Sequence, residues 1–173
     1  AYLGLARGHE YVHQAIADPH LRALVEHLMR DEAAASLAPA PGQDLERYAD
    51  DLLQRFANPA LRHRLLQISM DGSQKIPQRW LETLAFHKAA GRTCTAILTA
   101  LAAWLRFVRA DRWVVDDPKA AELKALWSSG DAGQVVDALF GPQGMFHGSW
   151  VASRAERTLL LAFLGDARVA PIP

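Results

Sequence analysis

Three times in this chain an Asp or Asn stands directly before a Pro: Asp18-Pro19, Asn58-Pro59 and Asp117-Pro118. In each pair the short polar side chain can accept from the free N–H groups of a first helical turn. Proline fits the first helical position, where its missing N–H costs nothing. A chain punctuated in this way is built from helices, and the apolar spacing agrees. Leu45, Tyr48, Leu52, Leu53 and Phe56 fall on one helical face, as do Ile97, Leu98, Leu101, Trp104, Leu105 and Val108. Two-residue alternation is almost absent. Arg112-Trp113-Val114-Val115 is the one β-like patch, and it is too short to build a sheet.

The fold class expected is therefore all-α, with one domain over residues 1–173. Helices are expected over 2–17, 19–36, 44–57, 59–70, 77–90, 93–109, 118–128, 131–140 and 149–164. Asp44 and Thr93 are expected caps, and Gly91 closes the helix begun at Pro77. The Ala/Pro stretch from Ser36 to Gly42 reads as a connecting loop, and residues 141–148 as a second irregular segment. The chain opens Ala1-Tyr2-Leu3-Gly4, without Met and already in a helical pattern, so a piece of a longer polypeptide is expected.

Composition narrows the function classes. Lys+Arg and Asp+Glu are 19 each, so no net charge draws the chain to nucleic acid or an anionic membrane. No apolar run reaches membrane-spanning length; no signal peptide and a cytoplasmic location are the expectations. The single cysteine, Cys94, excludes an internal disulfide framework and reads as a small core residue. There is no GxGxxG and no strand for one to follow, so no nucleotide-binding module is visible.

His9-Glu10-Tyr11-Val12-His13 fits the H-E-x-x-H pattern of zinc proteases. Such sites need a third ligand further on and a flanking strand; the chain offers only the unremarkable His20 and His27 and no sheet, so surface or interface histidines are the preferred reading and no metal is expected. His20 and His27 read as a solvated or interdomain face. Trp80, Trp104, Trp113, Trp127 and Trp150 read as core and interface anchors.

The most informative stretch is residues 67–79, Gln-Ile-Ser-Met-Asp-Gly-Ser-Gln-Lys-Ile-Pro-Gln-Arg. Asp71-Gly72 is expected to close one helix, with Gly72 left-handed, and Pro77 to begin the next. Lys75 would then project from a rigid joint, with Arg79 one turn further on. The residues alone leave two readings open: a solvated loop lysine, or a cationic clamp for an anion or hydroxyl groups.

This stretch carries a resemblance to a known family. Asp71-Gly72-Ser73-Gln74-Lys75-Ile76-Pro77-Gln78-Arg79 resembles the C-terminal domain of the long-chain mannitol dehydrogenases. So do Ala1-Tyr2-Leu3-Gly4, Leu28-Met29-Arg30-Asp31-Glu32, Arg55-Phe56-Ala57-Asn58-Pro59, His63-Arg64 and Ala102-Ala103-Trp104-Leu105-Arg106. The run is more similar to the mannonate/fructuronate and related mannitol enzymes than to other polyol branches. The resemblance implies a helical substrate domain like the C-terminal part of 6-phosphogluconate dehydrogenase. It also implies a separate Rossmann-type domain, upstream of this chain, that holds NAD or NADP. The family's general base lies in a Lys-x4-Asn-x2-His motif before the Ala-Tyr-Leu-Gly segment, so no catalytic residue is expected in this chain. Lys75 matches the family's substrate-contacting lysine. Gln67 stands where some mannitol dehydrogenases have a substrate-contacting Arg, and Arg79 is a further candidate contact. Asp71 is expected to form the turn rather than to act as a catalyst.

The resemblance implies a sugar alcohol or sugar acid as substrate, oxidised or formed by an NAD(P)-dependent secondary-alcohol dehydrogenase. The isolated domain is expected to be inactive. The competing class is a non-enzymatic helical interaction domain whose amphipathic faces serve protein partners.

Overall fold

Every regular element in residues 1–110 and 112–165, the part that the computed structural model describes, is helical. One β-type contact occurs there, an antiparallel bridge between Tyr11 and Arg64. In chain order the helices are α1 (Tyr2–Ala6), α2 (Val12–Ala17), α3 (Pro19–His27), α4 (Leu45–Ala57), α5 (Leu65–Ile68), α6 (Gly72–Ile76), α7 (Thr95–Arg109), α8 (Ala120–Ser129), α9 (Ala132–Phe140) and α10 (Arg154–Gly165). Helix α3 runs on through a widened π-helical turn at Leu28–Ala33 into Ala34–Ser36. Helix α6 does the same through Pro77–Leu81 into Glu82–Ala89.

Helix α7 is the axis of the domain. Twelve of its fifteen residues are buried, including Ala100, Ala103 and Thr99 on the side opposite the expected stripe. A helix apolar all round belongs inside a protein, and α1, α3, α8 and α10 pack around this one. Leu101, Leu105, Phe140 and Leu160 are fully buried there, and ring contacts run from Trp104 to Phe146, from Phe146 to Phe140 and from Phe140 to Trp150.

The expected caps at Asp18, Asp44 and Asn58 accept backbone N–H groups as predicted. Thr93 does not cap α7. That role falls to Glu32, whose carboxylate accepts from Ala96 N at 2.9 Å and Ile97 N at 2.8 Å. Cys94 is buried beside it, as expected.

Two long helices expected from periodicity are broken. Residues 2–17 divide at Gly8, which takes a left-handed φ of 83°, and residues 10–12 then pair with 63–65. The histidines of His9-Glu10-Tyr11-Val12-His13 therefore do not lie on one continuous helix. Residues 59–70 divide at Arg62, itself left-handed at φ 43°, into a single 3₁₀ turn at Pro59–Leu61 and α5. The last helix starts at Arg154, five residues later than expected, because 141–150 fold into successive turns. Tyr48, placed on the apolar face by spacing, is 59% exposed, and Ala49 is buried in its stead. Residues 113–115 form no strand.

Candidate functional site

The stretch 67–79 differs from the sequence expectation in one respect that decides its chemistry. The left-handed residue is Asp71, at φ 57° and ψ 34°, not Gly72. Helix α6 begins directly after it, so Lys75 belongs to a first helical turn and Pro77 sits within the helix. A proline there removes one backbone donor and crowds the preceding turn. The backbone answers by opening into the π-helical turn Pro77–Leu81.

Gly72 is glycine for lack of space, not for its φ. A Cβ added there would stand 2.5 Å from Trp104 Nε1 and 2.7 Å from the Tyr2 hydroxyl. The start of α6 is thus pressed onto two buried rings. Tyr2 donates from its hydroxyl to the Ser69 carbonyl at 3.2 Å and packs on Phe107 and Trp80. Burial pushes the Tyr2 phenol upward; Asp117 and Asp71 add to that, and the Arg79 guanidinium opposes it. Asp71, Arg79 and Asp117 therefore all act electrostatically on one buried hydroxyl.

Lys75 is half-buried. Its ammonium donates to the Met70 carbonyl at 2.7 Å and lies 3.9 Å from an Asp71 carboxylate oxygen. An ammonium has three donors, so the geometry leaves capacity for an oxygen-rich ligand. Arg79 is exposed, on the widened turn of the same helix. Gln67 is exposed on α5, across the turn that precedes Asp71. Lys75 and Arg79 thus share one continuous helix, while Gln67 stands on a separate short one.

Residues 116–117 complete the joint. The Asp117 carboxylate accepts from Ser73 N at 2.7 Å, from Ser73 Oγ at 2.5 Å and from Lys119 N at 2.8 Å. Asp71 N donates to the Asp116 carbonyl at 2.9 Å. Sequence reading treats Asp117 as a local cap before Pro118; that it also caps α6, 44 residues away, has no signal in the sequence.

Beside the joint lies a cavity of about 240 Å³, lined by Leu3, Val12, Leu21, Leu28, Phe56 and Trp80 among others. Its aliphatic and aromatic walls have few partners for a polyhydroxylated molecule. Among the described residues no group of three or more His, Cys, Asp or Glu side chains is placed to hold a metal ion. No described helix is long and apolar enough to cross a membrane.

Comparison with known proteins agrees with this architecture. The chain is 36% identical over 151 residues to D-mannonate oxidoreductase of Escherichia coli (strain K12), covering 84% of this chain and 31% of that protein. It is 36% identical over 129 residues to a mannitol 2-dehydrogenase of Phaeosphaeria nodorum (strain SN15 / ATCC MYA-4574 / FGSC 10173), covering 72% of this chain and 23% of that one. The chain thus spans about a third or less of the curated relatives it matches. Among solved structures, the Pseudomonas fluorescens mannitol 2-dehydrogenase in ternary complex with NAD and D-mannitol superposes with a TM-score of 0.81 at 28% identity, over 95% of this chain and 34% of that chain. The family model of the mannitol dehydrogenase C-terminal domain matches residues 1–149, and the chain belongs to that family.

Proposed function

We propose that this domain forms the substrate-binding half of an NAD(P)-dependent secondary-alcohol dehydrogenase that interconverts a polyol or aldonate and its ketose: D-mannonate with D-fructuronate, or mannitol with fructose. The observation that carries this reading is Lys75. Lys75 lies in the first turn of α6; its ammonium is held by the Met70 carbonyl of the preceding turn and keeps donors for ligand oxygens. Identity of 36% to both D-mannonate oxidoreductase and a mannitol 2-dehydrogenase supports this pair of substrate classes, and a fixed cation is a natural partner for the sugar acid.

In this reading Lys75 binds a hydroxyl or carboxylate of the substrate. Arg79 and Gln67 approach from the rim, Arg79 as a second cation for a sugar acid and Gln67 as a neutral donor and acceptor. The nicotinamide cofactor, when bound, supplies or accepts the hydride. The chain carries no Gly-rich phosphate loop, so the cofactor is assigned to a Rossmann-type domain in a further part of the same polypeptide. The general base is assigned to that part as well. The domain's own contribution is orientation of the substrate and closure over it.

The test is turnover by the full-length polypeptide. NADH and NADPH consumption is followed with D-fructuronate and D-fructose, and reduction of NAD⁺ and NADP⁺ with D-mannonate and mannitol. Reaction with at least one pair is expected. A folded, full-length protein that turns over neither pair with either cofactor overturns the proposal.

A further inference from the structure

We infer that Asp117 is a positioning residue for Lys75: it fixes, through the start of α6, where the lysine ammonium stands. The inference rests on the reading of Lys75 as a substrate contact.

The position of the ammonium is set by the turn that precedes its helix. Its hydrogen-bond acceptor is the Met70 carbonyl and its nearest carboxylate is Asp71, both in that turn. The turn is not a low-energy form by itself, because Asp71 occupies the left-handed region that residues with a Cβ visit infrequently. It persists where the surroundings over-determine it, and here the contacts that do so can be named. The Asp116 carbonyl accepts from Asp71 N at 2.9 Å on one side of Gly72. The Asp117 carboxylate accepts both from Ser73 N, at 2.7 Å, and from Ser73 Oγ, at 2.5 Å, on the other side. From below, Tyr2 and Trp104 close on Gly72, and Tyr2 donates to the Ser69 carbonyl.

Of these contacts Asp117 contributes the only carboxylate that accepts a backbone N–H of the first turn of α6 among the described residues. Its remaining contact, from Lys119 N at 2.8 Å, ties the same side chain to the segment entering α8. One carboxylate thereby joins the two chain segments that meet at the site. An acceptor with full charge is the strongest one available for the free N–H groups of a helix start. Without it Ser73 N loses its acceptor, the first turn of α6 loosens, and the Met70 carbonyl no longer holds the ammonium in one place. An ammonium that is no longer held in one place contacts the substrate less well in the bound complex and the transition state alike, which raises KM. Asp117 is assigned no contact with substrate; it acts through Ser73 and the turn.

A double-mutant cycle in the full-length protein tests this, with Lys75→Ala, Asp117→Ala and the pair. Asp117→Ala is expected to lower kcat/KM for the ketose about tenfold or more, as misplacement of a binding group does. Its effect should fall mainly on KM, with the dissociation constant of NADH unchanged. On the Lys75→Ala background the same change should have almost no further effect, because nothing is left for Asp117 to position. A loss that is additive with Lys75→Ala, or an unchanged kcat/KM in Asp117→Ala, overturns the inference while leaving the substrate reading intact. An inert Lys75→Ala overturns the substrate reading, and this inference with it. Should Asp117→Ala not fold, Ser73→Ala carries the cycle: it removes the hydroxyl bond and keeps the backbone one. Non-additivity with Lys75→Ala then supports the inference, and additivity or an unchanged kcat/KM overturns it.

Discussion

Glu32 caps a helix that begins far from it in sequence: its carboxylate accepts from Ile97 N at 2.8 Å across a separation of 65 residues, and from the adjoining Ala96 N at 2.9 Å. The same residue's backbone carbonyl meets His87 Nε2 at 2.7 Å, and His27 Nε2 stands 3.4 Å from its carboxylate. Burial pushes the Glu32 carboxyl above the ordinary range, while the two N–H groups and the histidines pull it back without cancelling the burial.

This cap is expected to govern both stability and its pH dependence. Glu32→Ala leaves two buried donors at the start of α7 without an acceptor and should cost about 1–3 kcal/mol. Glu32→Gln keeps an acceptor and should cost less, about 1 kcal/mol. A raised pKa means that the folded state holds the proton more tightly than the unfolded one. The contribution is therefore full at acid pH, below the unfolded value of about 4.3, and is lost as pH rises through the folded value. The gap in Tm between the native protein and Glu32→Gln should narrow as pH rises from the acid side toward neutrality. A gap that widens over that interval would show the carboxylate to be favoured by folding instead.

Gly72→Ala should destabilise the domain by about 1–3 kcal/mol, since the new methyl group has no room and its neighbours are rings packed in the core. Trp104 is 1% exposed and cannot swing away cheaply. Backbone φ is not at issue, so a larger side chain should be worse than alanine. Urea unfolding followed by tryptophan fluorescence measures the loss; an unchanged midpoint would mean that α6 can lift off Trp104 without cost.

Lys75→Ala in the full-length protein should reduce kcat/KM by about ten- to a hundredfold, the value of one charge-assisted hydrogen bond to substrate. D-Fructuronate should suffer more than D-fructose, because the group lost is a cation. Lys75→Arg should recover only part, since a planar fork cannot take the compact ammonium's place against the Met70 carbonyl. Steady-state kinetics on both substrates, with Tm as a folding control, decide it. Equal losses on the acid and the neutral ketose would argue that Lys75 contacts a hydroxyl common to both.

The domain produced alone should give a far-UV circular dichroism spectrum dominated by helix and should neither turn over polyols nor bind NADH tightly. The first expectation follows from the uniformly helical elements of the described residues. The second follows from the lack of a GxGxxG phosphate loop in the chain. Calorimetric titration with NADH and an activity assay on the purified domain check the second. Tight binding would place part of the cofactor site within these helices.

Local chemistry in the sequence determined the helical class and the caps at Asp18, Asp44 and Asn58, since each depends on neighbours within a turn or two. The run around Lys75 was likewise legible as a place where the chain turns and presents a cation. What tertiary structure decided is everything set by residues distant in the chain. Glu32, not Thr93, caps α7 because folding brings its carboxylate to Ala96 and Ile97. The helix expected over 2–17 is cut because residues 10–12 pair with 63–65, and periodicity carries no record of that pairing. Asp71 rather than Gly72 takes the left-handed conformation because Trp104 and Tyr2 claim the space beside Gly72, while Asp116 and Asp117 hold the turn from the other side. Propensity names glycine for such a position, since it lacks the steric penalty of a Cβ. The packed core overrules it, because at Gly72 the missing Cβ is needed for close approach instead.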